Sequence, residues 1–107
     1  MFRFSTVEVS GNSMQPTFNA GDWLVITLLS GQKHNLKVGK VFLIEDPKRP
    51  GVKLIKRLTQ TRSEHGFTWY WVEGDNSKST DSRDWGWLTS DNFLAQVLFR
   101  YKKAVIE

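Results

Sequence analysis

The chain contains no cysteine, which excludes a disulfide-stapled scaffold, a thiolate metal site and a cysteine nucleophile. It has only two histidines, so no metal and no cofactor is expected. No apolar run approaches the ~18 residues of a membrane-spanning helix. The opening MFRFSTVEVS lacks the apolar stretch and cleavage site of a signal peptide, and the expectation is a cytoplasmic chain with no transmembrane anchor. Prolines number three and fall where the chain turns. What is present fits one globular unit. The 107 residues allow a single domain spanning 1–107. Hydrophobic content of 39% with 24% charged residues excludes a disordered chain. A net charge of +4 is a mild basic excess that raises a nucleic-acid reading to be tested. Five tryptophans and seven phenylalanines point to a compact, aromatic-rich β core.

Short apolar runs separated by turn residues organise the chain. Apolar positions in Phe2–Ser10 shift from even (Phe2, Phe4) to odd (Val7, Val9), which suggests a bulge near Ser5–Thr6. Gly11–Asn19 reads as a turn, and DWLVITLL (Asp22–Leu29) as a strand. A polar loop at Ser30–Lys37 precedes a strand at Lys40–Glu45, and DPKRPG (Asp46–Gly51) must turn. Strands follow at Val52–Arg62 and Phe67–Glu73, joined at Ser63–Gly66 as a hairpin. Gly74–Trp85 reads as a long polar loop, Thr89–Asn92 as a short turn, and Phe93–Tyr101 as a strand closing the sheet. The fold class is therefore mostly β, a small folded sheet or barrel with little helix.

One residue breaks the pattern. Lys56 falls on the face shared by Val52, Leu54 and Leu58, where a lysine is rare unless paired or functional. A register slip or an edge position from which the amine snorkels out would also explain it. Separately, Gly11-Asn12-Ser13-Met14-Gln15-Pro16-Thr17 sets a serine in a turn just after a strand, where backbone N–H groups are available to an oxyanion. A serine hydroxyl needs a base. His34 and His65 sit in ordinary polar loops and read as surface residues. A lysine buried among apolar neighbours loses its preference for the charged form and can serve as the base. Ser13 and Lys56 thus form a plausible dyad.

These residues resemble a family. GNSMQPT followed by GDWLVI is similar to the nucleophile box of signal peptidase I, VKLIKR to its general-base box, and GDNSKSTDSRDWG to its third signature, all in the family's order. The resemblance implies Ser13 as nucleophile, Lys56 as general base, and the Ser13 amide as an oxyanion donor. In some relatives a serine hydroxyl two residues before the nucleophile is a second donor. That position is Gly11 here, which leaves a backbone group of the Gly11–Asn12 turn or a water. It also implies that Ser79 orients the Lys56 amine and that Asp81 and Arg83 form a supporting ion pair. The peptide would lie extended between the strand before Ser13 (Val9, Ser10) and the strand carrying Lys56 (Lys53, Leu54), with shallow pockets for small side chains that Met14 either helps to wall or underlies as core filler.

The sequence departs from the family where only sixteen residues separate Leu58 from Asp75, which leaves no space for the large inserted region of some relatives. The organisation is most similar to the short, soluble maturation protease of nickel-type superoxide dismutase. That resemblance implies a precursor protein as partner, the nickel superoxide dismutase precursor first. The alternative is the catalytic core of a general type I signal peptidase. Self-cleaving repressors use a related dyad but lack the GDN…DSR signature. A non-enzymatic alternative is single-stranded nucleic-acid binding through Trp69, Tyr70, Trp71 and the basic residues Lys53, Lys56, Arg57 and Arg62. Their charges fall on both faces of the strand, and no nucleic-acid partner is expected. Trp85 and Trp87 suggest a possible membrane-surface contact.

Overall fold

The computed structural model describes residues 3–31 and 36–105, so His34 lies outside the described residues. Six strands make one antiparallel sheet: β1 (Phe4–Glu8), β2 (Trp23–Leu28), β3 (Val41–Glu45), β4 (Lys53–Glu64), β5 (Phe67–Glu73) and β6 (Phe93–Lys102). Their order is β1-β2-β6-β3-β4-β5. A single helical turn, α1 (Ser82–Trp85), and a 3-10 turn at Ser90–Asn92 complete the regular structure. The fold is mostly β with little helix, as the sequence suggested. The sheet is open, and β6 enters its centre between β2 and β3 instead of sealing an edge.

Apolar clusters on opposite faces hold the sheet. β3 (VFLIE) is buried at its first four positions because it contributes to both. Val41 and Leu43 join Leu24, Ile26, Ile55, Ala95 and Val97. Phe42 and Ile44 join Leu58, Tyr70, Val72 and Phe93. A strand covered on both sides shows a continuous apolar run instead of alternation. The register with β6 shifts between Leu43↔Ala95 and Ile44↔Phe93. The extra residue, Leu94, lets Phe93 turn to the second cluster while Ala95 stays in the first.

Three expectations are corrected. β1 has no bulge: its pairing with β2 runs unbroken from Phe4↔Thr27 to Glu8↔Trp23. The parity shift in the sequence marks a phenylalanine that faces solvent, Phe4 being 64% exposed. Nor is the core rich in tryptophan. Its aromatics are Phe42, Phe93 and Tyr70, packed edge to face at 5.2 and 5.3 Å, while all five tryptophans are half-buried. Trp85 packs against the second cluster and Trp87 against Trp71. Finally, the Gly74–Trp85 loop contains α1, whose N-terminus is closed by a capping box between Asp81 and Asp84.

The β4–β5 hairpin turns at His65-Gly66, both with positive φ (52° and 77°), the geometry of a type I′ turn. This hairpin fills the short interval between Leu58 and Asp75. Its pairing leaves part of β4 bare. β3 covers Lys53–Arg57, but β5 pairs only from Arg57 onward. β1 likewise pairs only with β2. Four successive antiparallel pairings separate β1 from β4, so the two strands run in the same direction.

Candidate active site

The bare edges of β1 and β4 face each other across a cleft of about 400 Å³, lined by the 5–10 segment and Ser13 on one side and Lys53–Ile55 on the other. Ile26, Leu28 and Leu43 also line it. Backbone direction alternates along a strand. The Val9 N–H donates to Asp22 and the Leu28 N–H to Arg3, at 2.8 Å each, so the odd residues of β1 face β2 and Thr6, Glu8 and Ser10 face the cleft. On β4, Val52 and Leu58 bond toward β3, which turns the Lys53 and Ile55 backbones to the cleft.

Ser13 lies at the end of this cleft. Its hydroxyl donates to the Ile55 carbonyl at 3.5 Å, a loose contact that sets the serine beside the residue preceding Lys56. Lys56 is 2% exposed, on the face of β4 that packs Leu58 and the Phe42 cluster. Burial depresses its pKa from the ordinary lysine value. Asp81 and Asp46 act at a distance in the opposite sense, and Arg83 reinforces the depression. Among the described residues the amine makes no ion pair and no hydrogen bond, to Ser13 or to any other group.

Asp81 is fully buried, and its carboxylate is saturated. It accepts from the Gly74 N–H at 2.8 Å, the Arg83 N–H at 3.1 Å, the Arg83 guanidinium at 2.9 and 2.6 Å, and the Ser79 hydroxyl. Burial alone would raise its pKa. The donors, Arg83 foremost, outweigh that and hold it far below the usual carboxylate range. The ion pair of Asp81 with Arg83 is therefore formed. The expected hydrogen bond between Ser79 and the Lys56 amine is not, because the Ser79 hydroxyl is turned to Asp81 and to Arg83.

The GDN segment joins this network to the serine turn, a role that reading the sequence missed. The Asn76 N–H donates to the Ser13 carbonyl at 2.9 Å, and Asn76 Nδ2 donates to the Asn12 carbonyl at 3.0 Å. Asp75 accepts two bonds from Arg57, each 2.8 Å, and one from the Thr17 hydroxyl. Gly74 is buried at the meeting point, where a Cβ would lie 2.3 Å from Ser79 Oγ and 2.4 Å from the Ser13 carbonyl oxygen. The signal for these residues was present in the GDN triplet. Their partners in the serine turn lie more than fifty positions away in the chain, so no local pattern reveals what they hold.

The remaining sequence-stated residues divide clearly. Gly11 (φ +78°) and Asn12 are exposed in the turn. Val9, Ser10, Lys53 and Leu54 line the cleft. Met14 does not wall it. At 1% exposure it is part of the core beneath, which corrects its place among the substrate-contacting residues and agrees with the core-filler alternative. His65 sits at the exposed hairpin tip. Of the basic residues on β4, Lys56 is buried, and Arg57 and Arg62 pair with Asp75 and Glu64.

No helix among the described residues is long and apolar enough to cross a membrane. Compared with models of protein families, residues 1–61 match the one described as "Signal peptidase, peptidase S26". No curated protein matches the chain.

Proposed function

The chain belongs to the signal peptidase family, peptidase S26, and from that membership we propose that it is a serine endopeptidase working through a Ser13–Lys56 dyad on an extended segment of a precursor protein. The observation that carries the reading is the placement of Ser13. Its hydroxyl touches the carbonyl of Ile55, next to a lysine that is desolvated and without a carboxylate partner, at the end of a cleft with two bare strand edges. An extended peptide added between β1 and β4 takes main-chain hydrogen bonds from both. Because the two strands share one direction, it runs either parallel to both or antiparallel to both.

In this mechanism the neutral Lys56 amine accepts the Ser13 proton as Oγ bonds to the scissile carbonyl carbon. The carbonyl π pair moves to oxygen, and backbone N–H groups of the turn stabilise the oxyanion. As the C–N bond breaks, the Lys56 ammonium returns the proton to the leaving amine. Water then enters and gives a proton to Lys56 as its oxygen bonds to the acyl carbon. The ester C–O bond breaks, and Lys56 passes that proton to Ser13 Oγ, which regenerates the free serine and the neutral amine. Asp81 and Arg83 support the base from a distance, and Asp81 is too fully occupied to pair with the amine. The client proposed first is the nickel-type superoxide dismutase precursor. That choice rests on the resemblance to its short maturation protease and fits the single hairpin that spans Leu58 to Asp75.

The test is incubation of the protein with that precursor, with the product mass read directly, beside a general signal-peptide substrate. Ser13→Ala and Lys56→Ala each abolish cleavage and leave the fold intact, and turnover in either variant overturns the dyad. The wild-type rate falls on the acid side as Lys56 takes up its proton. A flat profile from about pH 5 to pH 9 argues against a lysine base. Cleavage of the general substrate alone assigns the chain to general signal-peptide processing.

A further inference from the structure

The serine turn carries amide groups whose peptide units are bonded from outside the turn as well as from within it. A peptide unit is planar and trans, so its C=O and N–H point in opposite directions. The carbonyl of Asn12 and the N–H of Ser13 belong to one such unit, and the carbonyl of Ser13 and the N–H of Met14 to the next. Asn76 bonds both carbonyls, the first through Nδ2 at 3.0 Å and the second through its own N–H at 2.9 Å; the Asn12 carbonyl also accepts from the Gln15 N–H inside the turn, at a longer 3.2 Å. The opposed Ser13 and Met14 N–H groups have no acceptor among the described residues. In a turn that presents a nucleophile, amides left open in this way are what an oxyanion requires.

Asn76 is itself restrained. Its Oδ1 accepts from the Lys78 N–H at 3.0 Å, and its carbonyl accepts from the Ser79 N–H at 3.0 Å and from Arg83 at 3.4 Å. The neighbouring Asp75 is fixed by Arg57 and Thr17. The clamp therefore runs from β4 through the GDN segment to the turn.

We propose that Asn76 is a positioning residue that aims the Ser13 and Met14 amides as oxyanion donors by holding the carbonyls on the far side of their peptide units. This rests on the peptidase reading above. It touches neither the base nor the β1 and β4 edges that hold the peptide, so it acts on the transition state and not on substrate binding.

Asn76→Ala removes the side-chain bond to Asn12 and leaves the backbone bond to Ser13. With a fluorogenic peptide carrying alanine one and three residues before the scissile bond, the expected result is a kcat lower by roughly ten- to a hundredfold. KM changes by less than about twofold and the acid limb of the pH profile stays in place. A rise in KM with kcat unchanged, or a moved acid limb, overturns the proposal. A second measurement does not need turnover. In ¹⁵N relaxation the Ser13 amide of the wild type has a rigid order parameter near ~0.85, and in Asn76→Ala it falls toward ~0.6. An unchanged order parameter also overturns the proposal. If the wild type cleaves nothing, the peptidase reading fails while the relaxation data still decide what Asn76 holds.

Discussion

Replacing Gly74 by alanine is the sharpest steric perturbation of this site. The conformation at Gly74 is open to any residue, and its need for glycine is a matter of space. An added Cβ would meet Ser79 Oγ at 2.3 Å, the Ser13 carbonyl oxygen at 2.4 Å and Ser79 Cβ at 2.6 Å. Ordinary contact needs each to withdraw by about 1 Å. Neither neighbour can yield easily. The Ser13 carbonyl is held by Asn76, and Ser79 is bonded to Asp81 and Arg83. Overpacking of this kind costs about 1–3 kcal/mol, a fall in Tm of roughly 10 °C for a domain this size. Displacement of the serine turn by about 1 Å lowers the rate by about 100-fold. The control is Gly31→Ala, where the added Cβ meets nothing within 4 Å among the described residues but φ is +67°. It incurs only the left-handed backbone penalty of about 1 kcal/mol and keeps full turnover. Scanning calorimetry and peptide kinetics on the two variants decide the matter. If Gly74→Ala matches Gly31→Ala in both Tm and kcat, the close approach of the GDN segment to the serine turn is wrong.

Other perturbations test the charges. Lys56 has its folded pKa depressed by burial, so below the ordinary lysine value the folded protein binds fewer protons at this site than the unfolded chain. That adverse contribution weakens as pH rises toward ~10.4. Lys56→Met therefore unfolds at or above the wild-type Tm at pH 7, with a gap that narrows toward pH ~10; a Tm well below wild type at neutral pH contradicts this. Asp81 is depressed in the folded state, so its stabilisation is present above the unfolded carboxylate pKa of ~3.9 and is lost as pH falls below it. Asp81→Asn should be less stable at pH 7 and should show a shallower stability loss on acidification. Equal slopes in the two proteins would remove Asp81 from the acid response.

Much of the scaffold was legible along the chain because its signals are local. The apolar runs and Gly/Pro punctuation marked β2 through β6, and the hairpin turn fell within the expected Ser63–Gly66 connection, narrowed to His65-Gly66 because β4 continues to Glu64. The oddity of Lys56 on an apolar face was visible from period-two alternation alone. Less legible were features that depend on which faces are covered. Phe4 looked like a core position until its side of β1 proved open to solvent. The tryptophans looked like core until they proved to be half-buried. Met14 read as pocket wall or core filler alike and is packed beneath the cleft.

By itself, the sequence determined the candidates for chemistry, a serine in a turn and a lysine on an apolar strand face in a chain without cysteine. Only the tertiary structure decided what surrounds those groups. Lys56 loses its water because Phe42, Leu58 and their neighbours, drawn from separate strands, close over one face of β4. Asp81 acts on it only at a distance, with no hydrogen bond, because Arg83, Ser79 and Gly74 converge on the carboxylate. The amides of the serine turn are aimed by Asn76, sixty-four positions from Asn12. Burial and hydrogen-bond saturation are sums over residues distant in sequence, and they take their values only when the sheet brings those residues together.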